Sequence, residues 1–234
     1  MNAGRSIATF CRFGGFHGWG HLARSSALMA EAQSRGWRTA LWTSSDIELM
    51  TSSQRSVFDA VSQIERYDFE TFAEQRGEAD VVFIDEMYLP DAFYDSARDF
   101  VDKLPKAKLV AMDDMMERSM SSVDLVVNTE LGLRSAEYRA PAALLGERYC
   151  LIRQGFRSPI KKAWPNDKRL IPVLIMIGGT DPFGCSFDVL NALGKLDKYA
   201  FAPVLISGDG NEYNSLHSKL SEFDEFRMEI GLDD

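Results

Sequence analysis

His21 opens a helical stretch, immediately after Gly18-Trp19-Gly20 and three residues ahead of Arg24. Glycines at such a position let a ligand come close to the backbone. A histidine in the first turn of a helix feels the positive end of the helix dipole, which disfavours its charged form. The expectation is a ring that stays neutral near pH 7 and can accept a proton from water. The plainer alternative is that His21 only starts the helix and packs locally, and a short glycine motif does not decide between the two.

A second loop, Gly178-Gly179-Thr180-Asp181, lies between a strongly apolar run and a helical one. Backbone N–H groups in that setting can cradle phosphate. Thr180 could donate a hydrogen bond and Asp181 could cap the helix. An ordinary tight turn explains the same residues equally well. No Gly-Lys-Ser/Thr follows, so it is not a P-loop, and the spacing is not GxGxxG. The acidic residues Asp85, Asp113 and Asp114 could bind sugar hydroxyls or work as acid and base. Taken singly, such residues more often cap turns. His17 belongs to the first glycine loop and His217 to a polar helix face. No GxSxG elbow supports serine hydrolase chemistry. Met112, Met115 and Met116 read as packing residues.

These residues need a scaffold, and the chain supplies alternating strand and helix patterns. Strands are expected over 6–11, 38–43, 80–84, 108–112 and 124–127, and helices over 21–35 and 91–103, with helical material from 44 through Ile64. Several strands end on an acidic or amide residue: Asp85, Asp113-Asp114, Asn128. In open parallel sheets ligands sit outside the carboxyl ends of the strands, where these side chains would lie. A basic, proline-containing stretch, 156–169, reads as a linker. The alternation then restarts, with strands over 171–177, 202–207 and 226–230 and helices over 187–196 and 212–220. This gives an α/β chain of two parallel-sheet domains: 1–155 carrying the candidate base, the linker 156–169, and 170–234. The second is expected to be incomplete, with one sheet edge uncovered. A homodimer through that edge is one way to cover it.

The chain has 234 residues, 45% hydrophobic and 26% charged, with a formal net charge of −9. That acidity argues against general nucleic-acid binding, which needs a basic footprint. It leaves a nucleotide ligand open, because backbone groups can hold phosphates. No apolar run approaches the roughly 18–20 residues of a membrane span, and the N-terminus lacks a signal-peptide pattern. A soluble, cytoplasmic protein without membrane insertion is expected. The three cysteines, Cys11, Cys150 and Cys185, form no CxxC pair, and only three histidines occur, so neither a disulfide framework nor a metal site is suggested.

Six motifs occur in an order that resembles the UDP-2,4-diacetamido-2,4,6-trideoxy-β-L-altropyranose hydrolases of pseudaminic acid biosynthesis. They are Gly18-x-Gly20-His21-x-x-Arg24, Ile84-Asp85 with Tyr88, Asp113-Asp114, Asp124-Leu-Val-Val-Asn128, Gly146-x-x-Tyr149-x-Leu-Ile-Arg153-x-x-Phe156, and Met176-x-Gly-Gly-Thr-Asp181. The resemblance implies two Rossmann-like domains of the GT-B type, a UDP-sugar bound in the cleft between them, and no cofactor. It implies that water attacks the anomeric carbon and UDP leaves. His21 matches the family's catalytic histidine. Gly18, Gly20, Arg24, Asp85, Tyr88 and Asn128 fall on the sugar side, and Gly178, Gly179, Thr180 and Asp181 on the nucleotide side. An aspartate that the family carries after the first strand has no counterpart, since the sequence there reads Arg12-Phe-Gly. A GT-B glycosyltransferase is the main rival. For a lipid acceptor it would need an apolar or basic patch, and the first domain's sequence shows none. A non-catalytic sugar-binding protein is a third reading.

Overall fold

Ser6–Phe10 (β1) is buried along its whole length, as a strand must be when parallel neighbours flank it and helices cover it. In the computed structural model β1 pairs with Arg38–Thr43 (β2) on one side and Val81–Asp85 (β4) on the other, both parallel. The structure describes residues 4–64, 79–104, 106–116, 119–133, 138–156, 170–178, 181, 183–197, 199–207 and 213–230. The segment read as a linker falls outside them from 157 onward, as do Gly179 and Thr180. The chain divides into two units, Met1–Arg12 with His21–Arg157, and Phe13–Gly20 with Ser158–Asp234.

The first unit is built on a seven-stranded parallel sheet of order β3-β2-β1-β4-β5-β6-β7. The further strands are Ala60–Gln63 (β3), Lys108–Met112 (β5), Leu125–Asn128 (β6) and Ala142–Leu145 (β7). The chain runs outward from β1 through β2 to β3, then returns to place β4 against the other side of β1. β1 and β4 are therefore the neighbours at which the strand order reverses, the position where open parallel sheets place a ligand, at the carboxyl ends of the strands.

Two helices matter most to the site. Gly20–Ser34 (α1) follows β1 and buries His21, Leu22, Ser25, Ser26, Met29 and Ala32, a stripe at helical spacing. Small residues on that stripe let the helix lie close to the sheet, and Ser25 Oγ reaches Thr9 Oγ1 at 3.2 Å. The helix stops at Gly36, whose φ of 76° is the left-handed conformation of a glycine C-cap. After the short helix Ser52–Ser56 (α2), Asp91–Asp102 (α3) buries Phe93, Tyr94, Ala97, Phe100 and Val101. Phe93 stacks at a tilt on Phe10, centroids 5.0 Å apart, and Phe100 meets Trp42 edge-on at 5.8 Å. Removing a ring such as Phe93, which is fully buried, costs about 3–5 kcal/mol. This core anchors β1 and β4, the strands whose ends carry the site.

The second unit contains a three-stranded parallel sheet of order β10-β9-β8, made of Ile171–Met176 (β8), Phe201–Ser207 (β9) and Arg227–Ile230 (β10), with helices Cys185–Asp197 (α4) and Tyr213–Leu220 (α5). Its core gathers Ile175, Leu190, Leu205, Leu216, Leu220 and Phe223.

Two strands depart from the sequence expectation. β3 falls in a stretch read as helical, and β7 was not anticipated. Both are four residues long and lie at opposite edges of the sheet. Ala60-Val-Ser-Gln63 carries one strong strand former and Ala142-Ala-Leu-Leu145 none. Pairing with β2 and β6 overrides these local preferences.

Candidate active site

The switch point between β1 and β4 is occupied by a histidine and a carboxylate. Asp85 is the last residue of β4 and is completely buried. His21 lies on the inner face of α1, its ring about nine-tenths buried, with 11% of its side chain open. Arg24 and Ser25 follow at i+3 and i+4, so helical geometry turns all three toward Asp85. His21 Nδ1 lies 2.8 Å from Asp85 Oδ1. Arg24 Nε donates to Asp85 Oδ2 at 2.8 Å, and Arg24 Nη2 donates to Oδ1.

The network fixes the ring's tautomer. Asp85 is held ionised, so Nδ1 carries the proton and donates it to the carboxylate. Arg24 Nη2 also lies 3.2 Å from Nδ1, but both atoms are then donors, and the approach follows from their sharing Asp85 Oδ1. Nε2 is left as the ring's acceptor, and it has no hydrogen-bond partner among the described residues.

Burial opposes a charged His21, and so does the Arg24 guanidinium. The hydrogen bond and negative charge of Asp85, with help from Glu86, outweigh both, and the ring is more basic than ordinary imidazole. The shift runs opposite to the one expected from the helix terminus, because a buried carboxylate at hydrogen-bond distance outweighs half a unit charge of helix dipole. Burial likewise opposes an ionised Asp85, but the hydrogen bonds from His21 and Arg24 hold its carboxyl below the usual carboxylate range. Cys11 is fully buried, and that burial, then the Asp85 charge, pushes its thiol far above the normal range. It is held neutral and offers no nucleophile.

Arg24 is itself clasped from a third strand end. Asp114, just beyond β5, accepts from Nη1 at 2.9 Å and from Nη2 at 2.8 Å. A guanidinium has five N–H groups. Two go to Asp85 and two to Asp114, leaving one. Arg24 was expected among the sugar contacts. The structure instead makes it a bridge between two carboxylates, with little capacity left for a ligand. Asp85, expected to contact sugar too, has both oxygens engaged and stands behind His21. Glu86 was not anticipated. It is buried beside Asp85 and accepts from the Arg12 backbone at 3.3 Å and from Arg12 Nε at 2.9 Å. Its position next to Asp85 at a strand end was the only sequence signal.

The other candidates vary. Asn128, at the end of β6, is fully buried. It donates to Tyr138 Oη at 2.9 Å and accepts from the Glu130 backbone at 2.9 Å, a turn-holding role rather than an open ligand contact. Tyr88 is exposed in the loop after β4. Gly18 has φ 65° and ψ −169°, a conformation essentially confined to glycine, and its carbonyl accepts from Gly14 at 2.8 Å. Gly20, the first residue of α1, is exposed, and a Cβ there would meet no atom within 4 Å. In the second unit Gly178 is exposed, with φ 60°. Asp181 accepts from the backbone of Cys185 at 2.9 Å and of Ser186 at 2.8 Å. It thus caps α4 and takes up two of the donors a phosphate would use. Among the described residues no group of three or more His, Cys, Asp or Glu could hold a metal ion, and no helix is long and apolar enough to cross a membrane.

The fold is α/β and GT-B-like. No protein-family model matches the chain, and no curated protein matches it in sequence. Solved structures do resemble it. A Staphylococcus aureus MnaA–UDP co-structure aligns with a TM-score of 0.53 at 12% identity, over 98% of this chain and 70% of that one. A Thermobaculum terrenum O-GlcNAc transferase mutant gives 0.45 at 12% identity, over 99% of this chain and 45% of the other. A Veillonella parvula family 9 glycosyl transferase gives 0.42 at 10% identity, over 100% and 72%. The chain thus spans less than half the length of the O-GlcNAc transferase it matches. At these identities the likeness concerns the fold.

Proposed function

We propose that this protein is a nucleotide-sugar hydrolase. It cleaves the anomeric C–O bond of a UDP-diacetamido-trideoxy sugar by attack of water, releasing UDP and the free sugar for nonulosonic (pseudaminic) acid synthesis. The observation that carries the reading is the His21–Asp85 pair, with Nδ1 tied to a buried carboxylate and Nε2 left to accept. His21 Nε2 takes a proton from water as the water oxygen bonds to the anomeric carbon. The C–O bond to the diphosphate breaks, and its electron pair leaves with UDP. Asp85 stabilises the imidazolium that forms and stays ionised. The reading draws on no metal or cofactor. Gly18, Gly20 and Tyr88 are assigned to the sugar, and Gly178, Gly179 and Thr180 to the nucleotide. The GT-B-like fold supports a UDP-sugar ligand by analogy alone.

A second reading is a UDP-sugar glycosyltransferase, in which an acceptor hydroxyl replaces water at the same base. One observation favours it. Tyr88, Met115, Met116 and Leu131 are all exposed, in loops following β4, β5 and β6, three adjacent strands. UDP release from the UDP-sugar with no acceptor present, with His21→Ala in parallel, separates the two. Hydrolysis predicts release that the substitution abolishes, whereas release only on adding an acceptor means transfer.

A further inference from the structure

Arg24 joins two carboxylates on adjacent strand ends, and only one of them touches His21. Asp114 offers both oxygens to the guanidinium, at 2.8 and 2.9 Å, and its side chain is a quarter exposed. Paired parallel N–H···O bonds of this kind fix orientation as well as adding energy. Without Asp114 the guanidinium has one carboxylate to neutralise. With it, the single positive charge is divided between two. The charge remaining on Asp85 is what holds the Nδ1 proton of His21.

We infer that Asp114 is a positioning residue for the histidine. By clasping Arg24 it fixes the guanidinium and limits how far Arg24 neutralises Asp85, and so keeps His21 oriented and basic. Among the described residues, the charged groups facing His21 are Asp85 and Glu86 from the end of β4 and Arg24 from its own helix. Arg12 acts on Glu86 and Asp114 on Arg24, and the neighbouring Cys11 thiol is neutral. Asp114 thus acts through Arg24, as Arg12 acts through Glu86, and of these two indirect groups it is the one whose partner bonds the Asp85 carboxylate. The inference rests on the proposed role of His21 for its bearing on catalysis, but its electrostatic content does not need a substrate.

The test is an NMR titration of the His21 ring nitrogens in the free, full-length protein. Asp114→Asn keeps the shape and removes the charge. It is expected to lower the His21 pKa by about half to one unit, the size of a one-charge change near a partly buried group. Arg24→Gln is expected to raise it. In the Arg24→Gln background, Asp114→Asn should lose most of its effect. Asp124→Asn, a like charge change at the Arg98 pair, should leave His21 unmoved. If Asp114→Asn does not fold, Asp114→Ser supplies the same charge change. An unchanged or raised His21 pKa in the neutral Asp114 variant would overturn the inference. So would an equal drop with and without Arg24, which would mean simple charge removal. The expected shifts without any UDP release would reject the hydrolase reading and leave this relay standing.

Discussion

Asp85 holds His21 through Nδ1, at 2.8 Å, and this one bond decides which ring nitrogen can do chemistry. An asparagine at 85 could present its amide NH2 to Nδ1 and so favour the wrong tautomer. Asp85→Asn should lower kcat by about two to four orders of magnitude, the usual worth of a positioned general base. The check is steady-state UDP release, with circular dichroism to establish that the variant folds.

The raised basicity of His21 sets the pH dependence. The base form is the active one, so kcat/KM should rise with pH through an apparent pKa above about 6.5, the ordinary imidazole value. The free-enzyme profile reports this directly. A rising limb below that value would show that Asp85 does not control the ring.

The same two groups link folding to pH. His21 is more basic folded than unfolded, so its contribution is complete below the ordinary imidazole pKa and lost as pH rises through the folded value. Asp85 is more acidic folded, so its contribution is complete above the ordinary carboxylate range and lost as pH falls through its depressed value. Thermal unfolding against pH should show His21→Ala converging on the wild type at high pH. Asp85→Asn should converge only in strong acid.

Asp181 makes a separable case. As the cap of α4, its replacement by alanine should cost about 0.5–2 kcal/mol, while Asp181→Asn, whose one amide oxygen can accept only one of the two bonds, should fall between alanine and the wild type. Urea unfolding measures both. Equal losses in the two variants would show that a single acceptor oxygen does not support the cap.

Much of the fold was legible because parallel strands buried on both faces read as apolar runs. β2 and β5 have the expected bounds, β1 ends one residue early, β4 and β6 each lie one residue later than expected, and α1 lies one residue earlier. β3 and β7 were illegible because short edge strands gain their order from a neighbour rather than from their own residues. The site divides along the same line. His21, Arg24 and Asp85 stood out by position, since a helix start and a strand end are local features. Their partnership did not, because Arg24 and Asp114 are 90 residues apart and only the strand order brings them together. The helix dipole was a sound local argument, overridden by a carboxylate 64 residues away. Asp181 shows the reverse, a cap visible in sequence that leaves less of the helix end for phosphate.

In the proposed reaction water attacks carbon, with His21 as its base. The most direct measurement is turnover of the UDP-diacetamido-trideoxy sugar in 18O-labelled water without acceptor, with mass analysis of both products. Attack of water at carbon with His21 as base gives one 18O in the free sugar, none in UDP, and no turnover by His21→Ala. Label in the nucleotide product would place the cleavage at phosphorus, and undiminished turnover by His21→Ala would remove the base; either result contradicts it.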